Sequence, residues 1–350
     1  MTEIIQKDIR SLSFEEVKES FIANGEKAFR AKQVFEWLWK KSATSFEEMT
    51  NLSLKTREWL SAHFVINAVT IESAQNSNDG TVKYIFKLHD GHKVEGVLIP
   101  TDKRITVCIS TQVGCSLSCS FCATGFMDRK RNLDAAEIYD QVVLVKNEAM
   151  KLLDRPLTNI VYMGMGEPLL NFAHTVKSTE LICNDEGLGM SPRRITISTA
   201  GIAKMIEKLG DEEVKFNLAL SLHAANDVKR NTIMPINEKN TLKVLEKSLN
   251  YFYQKTKSKI TLEYIVFNKF NDTREDAKEL LDFAKKVPCK VNIIEYNPIE
   301  QADFVNADVD AIDMFKELLE ANGVIVNVRR SRGKDIDAAC GQLAGKEKTV

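Results

Sequence analysis

Residues 108–126 read CISTQVGCSLSCSFCATGF. Four of the chain's seven cysteines fall here, and three of them, Cys115, Cys119 and Cys122, are spaced C-x3-C-x2-C. The number three decides the reading. A zinc ribbon needs a second C-x2-C or paired histidines nearby, and His174 and His223 are distant and single. An electron-transfer [4Fe–4S] protein supplies four thiolates, one per iron. Three thiolates leave one iron open, and an open metal position binds a small molecule.

The stretch begins at the end of a candidate strand, Arg104–Ser110, the first of a series. Asn159–Met163, Arg194–Ser198, Lys215–Leu222, Lys259–Val266 and Lys290–Glu295 follow as strands. Helical patterns such as AAEIYDQVVLVKNEAMKLL and REDAKELLDFAKKV lie between them. This repeated strand–helix alternation implies a parallel sheet in an α/β fold. Six units are too few for a closed eight-fold barrel, so an open, partial TIM-like βα barrel is expected. A last apolar run, Val324–Val328, precedes the basic tail RRSRGKDIDAACGQLAG.

Upstream, TVKYIFKLHDGHKVEGVLIP alternates on both sides of Asp90-Gly91 and reads as a hairpin. Before it, residues 11–65 read as helical. SFEE occurs at Ser13–Glu16 and Ser45–Glu48, each a capping-box pattern that starts a helix. The expected organisation is an N-terminal helical accessory domain over 1–66 and a β-hairpin extension over 67–100. The partial barrel follows over 101–300, then a C-terminal helix, strand and cysteine-bearing tail over 301–350.

Of the 350 residues, 44% are hydrophobic and 28% charged, as in an ordinary globular protein. No apolar run approaches the roughly 18 residues of a membrane span. MTEIIQKDIR carries charges where a signal peptide has its apolar core. A cytoplasmic location is therefore expected, where clustered thiols serve metals or chemistry rather than disulfides. The net charge of −1 means that nucleic-acid binding must come from local patches. DRKRN at Asp128–Asn132 and RRSRGK at Arg329–Lys334 are the candidates, against the plainer reading of solvated surface. Lys27, Arg30, Lys32, Lys40 and Lys41 in the helical module stand under the same two readings.

In parallel α/β barrels, functional groups collect at the carboxyl ends of the strands. VYMGMGEP puts Gly164, Gly166 and Glu167 just past the second strand. Glycines permit close backbone approach, and a carboxylate accepts from an ammonium group. Ser198 ends the third strand, Ser221, Leu222 and His223 end the fourth, and Asn297 follows the sixth. Each alone is commonly a cap or turn residue; together they ring one mouth. Cys183 and Cys289 sit in apolar surroundings and read as core. Cys340, among small, polar and glycine neighbours, reads as a mobile, accessible thiol and a candidate nucleophile.

C-x3-C-x2-C with Phe121 before the third cysteine resembles the radical S-adenosylmethionine (SAM) superfamily. More closely, STQVGCSLSCSFCATGF, YMGMGEPLLN, RRITISTAGI, LALSLHA, RNTIMPIN and RRSRGKDIDAACGQL together resemble the RlmN family, over about residues 10 to 345. The nearest relative of that family is Cfr. The resemblance implies one [4Fe–4S] cluster on Cys115, Cys119 and Cys122. It implies SAM, two per turnover, held by Gly166, Glu167, Ser198, Ser221, Leu222, His223 and Asn297. The implied substrates are 23S rRNA and tRNA, methylated at adenine carbon 2 (adenosine 2503 and adenosine 37, respectively). A cytosolic flavodoxin-like one-electron donor is implied as partner, with no membrane association. Cys340 would carry the methyl group, Cys108 would release the product by forming a disulfide with Cys340, and Glu95 would accept the carbon-2 proton. A solvent-side strand carboxylate is the alternative reading of Glu95. Cfr-like methylation of carbon 8, a radical enzyme with another RNA or peptide target, and a non-catalytic metal-cluster RNA-binding module stay open.

Overall fold

The computed structural model describes residues 6–344. The outer ends of the first and last expected segments, residues 1–5 and 345–350, lie outside the described residues.

Ten strands form one sheet in strictly sequential order: β1 (Thr70–Asn76), β2 (Val82–Lys87), β3 (Lys93–Pro100), β4 (Ile105–Cys108), β5 (Asn159–Tyr162), β6 (Ile195–Thr199), β7 (Asn217–Ser221), β8 (Ile260–Ile265), β9 (Cys289–Ile294) and β10 (Val326–Arg329). β1 to β4 pair antiparallel, and β4 to β10 pair parallel. The parallel part is the expected open partial barrel. The six strands read from the sequence are all present, and the terminal apolar run adds a seventh, β10, beside β9. Upstream, the Asp90-Gly91 hairpin gains a third strand, β1.

Each parallel crossover carries helix: α4 (Ala135–Leu153), α5 (Phe172–Cys183), α6 (Ala203–Asp211), α7 (Asp227–Ile233) and α8 (Leu242–Thr256) together, α9 (Arg274–Lys286), and α10 (Val309–Ala321). α4 and α9 begin with reciprocal capping boxes, Asp134 with Glu137 and Thr273 with Asp276. The barrel strands read as nearly continuous apolar runs because helices cover their outer face. Ile160, Ile197, Leu218, Leu262 and Ile293 are fully buried.

The N-terminal helices are α1 (Phe14–Ala23), α2 (Phe29–Phe35) and α3 (Leu54–His63). The Ser13 capping box forms as expected, but the one at Ser45 starts no helix. Glu48 takes the backbone N–H groups of Thr44 and Ser45, yet the chain stays in turns to residue 52. Thr50, Asn51 and Ser53 favour local side-chain bonds over helix propagation, and Ser53 caps α3 instead. This module is tied to α4 at depth. Arg10 pairs with Asp140 at 2.9 Å, and the Tyr139 hydroxyl donates to the Trp39 carbonyl.

Candidate active site

The loop after β4 carries the three clustered cysteines. Gln112–Val113 pair antiparallel with Arg131–Asn132 and close its neck. Inside, the Cys122 N–H donates to the Cys119 carbonyl at 3.2 Å, and the Gly125 N–H to the Cys122 carbonyl at 2.8 Å. A side chain at Gly125 would stand 2.6 Å from the Cys119 carbonyl oxygen, so this winding requires glycine. Cys115, Cys119 and Cys122 line one pocket with Gly166, Glu167, Ser198, Ser221, His223, Cys340 and Gly341.

This donor set fits a four-iron cube. Among the described residues no three His, Cys, Asp or Glu side chains close around a single ion; a cube spreads its thiolates over separate irons. Burial pushes the Cys115 thiol up to about 11, and raises Cys119 and Cys122 as well, with neighbouring cysteines adding to the effect on Cys115 and Cys119. Such thiols give up their protons to a metal rather than to water.

The SAM-contact expectations meet this pocket unevenly. Gly166 has φ +94°, and a Cβ there would lie 2.5 Å from the Gln112 Cβ. Its turn aims Glu167 inward, 4% exposed. The carboxylate accepts from the Ala200 N–H at 2.8 Å and the Leu169 N–H at 3.0 Å, and the Thr199 hydroxyl adds to them; of a carboxylate's four lone pairs this leaves one for an ammonium. Burial raises the Glu167 carboxyl, and these backbone donors oppose it. The hydroxyls of Ser198 and Ser221 lie 3.4 Å apart. His223 Nδ1 accepts from the Ile265 N–H at 3.2 Å, which leaves the ring proton on Nε2. Burial, with Arg230 adding to it, pushes His223 down to about 3, so the ring stays neutral. Leu222 does not line the pocket: its side chain is in the core, and its N–H is spent on the Glu263 carbonyl. Asn297 stands behind the lining, where its amide donates to the Cys340 carbonyl at 3.1 Å. Its Oδ1 is buried without a partner, an acceptor open to a ligand.

The tail that was expected to be mobile is pinned. The Ala123 N–H donates to the Gly341 carbonyl at 2.7 Å, and the Thr124 hydroxyl to the Leu343 carbonyl at 2.6 Å. At its other end, Ser77 bonds Asp335 at 2.6 Å, and Asp79 accepts from the Gly333 N–H at 3.0 Å. Cys340 stays exposed at the pocket rim. Burial by its surroundings still raises the thiol, and Arg329 pulls it down. Cys108, at the end of β4, is buried, and burial pushes it up to about 12, Cys340 adding to the effect. The fold thus brings the two cysteines within electrostatic reach of each other. Cys183 and Cys289 are half-buried rather than fully core.

Glu95 lies behind the pocket on β3. The register Val97 to Cys108 carries it to the strand-end mouth, where its carbonyl accepts from the Ser110 hydroxyl at 2.6 Å. It is 1% exposed, so the solvent-side alternative does not hold. Its carboxylate pairs with buried Lys83 at 3.6 Å and accepts the Ala344 N–H of the tail at 2.9 Å.

The sequence reading missed a charged pair in the lining, Glu263 and Arg329, 3.3 Å apart. A carboxylate inside the apolar strand ITLEYI was the available signal for the first. Arg329 had been read as phosphate-binding surface, and this pairing corrects that. The same correction applies to Lys334, paired with Glu295 at 2.5 Å, and to Arg131, held by Asp90 and Glu137 at 2.5 and 2.7 Å. Arg332 donates to the Asp79 carbonyl at 3.1 Å. Exposed Arg129, Lys130 and Arg330 retain charge for an outside partner, although Lys130 lies 3.6 Å from Asp128.

Residues 7–66 match the ribosomal RNA large subunit methyltransferase N-terminal domain, and residues 109–284 match the Radical SAM superfamily. The chain is 66% identical over 346 residues to a probable dual-specificity RNA methyltransferase RlmN of Cytophaga hutchinsonii, covering 99% of this chain and 95% of that one. It is 44% identical to the dual-specificity RNA methyltransferase RlmN of Geobacter sulfurreducens, over 97% and 92% of the two chains. A crystal structure of a radical SAM methyltransferase from Sphaerobacter thermophilus superposes with a TM-score of 0.91 at 37% identity, over 97% of this chain and all of that one. Among the described residues no helix is long and apolar enough to cross a membrane. The chain belongs to the RlmN family of dual-specificity RNA methyltransferases, within the radical SAM class.

Proposed function

We propose that this protein methylates carbon 2 of adenosine 2503 in 23S rRNA and of adenosine 37 in tRNAs, through a methyl group first carried on Cys340. The observation that supports this most directly is the pinned tail: it sets Cys340 at the rim of the pocket lined by the three clustered cysteines, with Cys108 in electrostatic reach. Adenine carbon 2 lies between two ring nitrogens and is electron-poor, so it does not displace a methyl group from SAM. A carbon radical adds to it.

In this reading Cys115, Cys119 and Cys122 hold the cluster, and two SAM molecules are used per turnover. Gly166, Glu167, Ser198, Ser221, His223 and Asn297 hold the SAM, without Leu222, whose side chain and N–H are both engaged in the fold. Bound together, cluster and SAM supply a hydrogen-abstracting carbon radical when a flavodoxin-like donor delivers one electron. The Cys340 thiolate takes a methyl group and then loses one hydrogen atom from it. The carbon left on its sulfur joins adenine carbon 2, linking enzyme to RNA. The adduct returns one electron to the oxidised form of that donor couple and gives its carbon-2 proton to Glu95. Cys108 attacks the Cys340 sulfur, the carbon–sulfur bond breaks, and the released carbon takes a proton to become the product methyl. A Cys108–Cys340 disulfide is left for reduction, which suits a cytoplasmic location. The Ala344 N–H takes one lone pair of the Glu95 carboxylate, which keeps others for a proton.

Mass spectrometry of rRNA and tRNA from cells lacking and then regaining the gene tests the reading. Carbon-2 methyl at both positions is expected; a carbon-8 methyl, or no change in either RNA, overturns it.

The base must leave its stack to enter the pocket, at a cost of a few kcal/mol that phosphate contacts offset. Joint neutralisation of Arg129, Lys130 and Arg330 is expected to flatten the salt dependence of RNA binding by up to about three phosphate contacts, measured by filter binding across salt concentrations. Lys334→Gln, whose charge is spent on Glu295, should leave that slope unchanged.

A further inference from the structure

Arg230, on α7, is fully buried. Its Nε donates to the Leu222 carbonyl at 3.0 Å, Nη2 to the Ala200 and Ser221 carbonyls at 2.7 and 3.1 Å, and Nη1 to Asn237 Oδ1 at 2.6 Å. Every one of these acceptors is neutral. Among the described residues, the only carboxylate that bears on Arg230 is Asp227, at one remove beyond Asn237, whose amide donates to Asp227 at 2.8 Å, and its pull is weaker than that of Cys119. A buried charge without a counter-charge is costly, and retained ones are paired or sit beside a metal.

The neighbourhood supplies the missing partner. The helix that carries Arg230 ends against the cysteine loop: the Ser120 N–H donates to the Ile233 carbonyl at 3.0 Å. Ile233 and Met234 pack with Leu117, Phe121 and the three clustered cysteines. Ala200 and Ser221, whose carbonyls grip the guanidinium, line the same pocket as those cysteines. Burial pulls Arg230 down to about 10, opposed first by Cys119 and then by Asp227.

We propose that Arg230 is the buried counter-charge of the cluster on Cys115, Cys119 and Cys122, and that its guanidinium raises the reduction potential of that cluster. The proposal rests on the cluster reading above. Three thiolates on a [4Fe–4S]2+ core carry a net charge of −1, and one-electron reduction makes it −2. A fixed cation at short range in a low-dielectric site favours the more negative state. Arg230 is here a positioning and tuning residue, since it touches neither RNA nor the reacting atoms.

The test is an electron-paramagnetic-resonance redox titration of anaerobically reconstituted wild type, Arg230→Gln and Arg230→Lys, with iron counted per chain. Arg230→Gln is expected to need at least a tenfold more reducing poise, a downward shift of about 59 mV for one electron. Arg230→Lys, which keeps the charge, is expected to stay near wild type. If Arg230→Gln takes up no iron while Arg230→Lys takes up about four at the wild-type potential, the charge requirement stands. A wild-type potential in Arg230→Gln, or equal loss of iron from both variants, overturns the proposal and reduces Arg230 to a brace for the strand-end carbonyls. Wild type without a four-iron cluster would remove the cluster reading itself, before any potential is compared.

Discussion

Cys340→Ser is expected to abolish RNA methylation, lowering turnover by at least about a thousandfold, as loss of a covalent nucleophile does. The substitution changes one atom on a tail held by backbone bonds at Gly341 and Leu343, so folding and iron content should not change. Serine fails chemically at both ends of the cycle. Its hydroxyl is far less nucleophilic than a thiolate towards a sulfonium methyl. Even if methylated, it would leave an ether oxygen that Cys108 cannot attack to form a disulfide. Peptide mass mapping should find methylated Cys340 in wild type incubated with SAM and no methyl on the variant's tail. RNA methylation surviving in Cys340→Ser would end the proposed route.

Glu95→Gln is expected to slow product release by about 10²- to 10⁴-fold, the usual contribution of a positioned base, and to trap the enzyme joined to RNA. The structure adds a complication that can be used. Glu95 is the counter-charge of buried Lys83, and stripping one partner from a buried pair costs about 3–5 kcal/mol. The single variant should therefore melt earlier than wild type. The double variant Lys83→Met/Glu95→Gln removes both charges and should recover most of that stability, read by thermal unfolding. Its release rate should stay as slow as that of the single variant, read by denaturing gels of the RNA adduct. Wild-type release in either variant would exclude Glu95 as the base; recovery of release along with stability would mean that the residue only braces β3.

How much of this was legible in the chain depends on the distance over which each feature is specified. The three clustered cysteines and the GMGEP turn were legible because they are written within a few positions of each other. The barrel strands were legible because burial on both faces leaves uninterrupted apolar runs, found in register from Ile105 to Ile294. The Ser45 helix failed because a capping pattern supplies a start signal but no propagation, and Thr50, Asn51 and Ser53 withhold it. The basic runs misled because charge is visible in a sequence and its partner is not. Arg131, Arg329 and Lys334 look like free cations until Asp90, Glu137, Glu263 and Glu295 fold against them. Leu222 shared the strand-end position of Ser221 and His223, but its side chain turned to the core.

The sequence by itself determined the number and spacing of the thiols, and the order of strands that places functional groups at one mouth. Both are local properties: covalent spacing and the period of buried side chains. Only the tertiary structure decided that Cys108 and Cys340 come within electrostatic reach, that Glu95 is held between Lys83 and the tail, and that every group bonded to Arg230 is neutral. Those relations join distant parts of the chain, and they form only where burial strips water from charges and thiols and leaves each to find its partner in the fold.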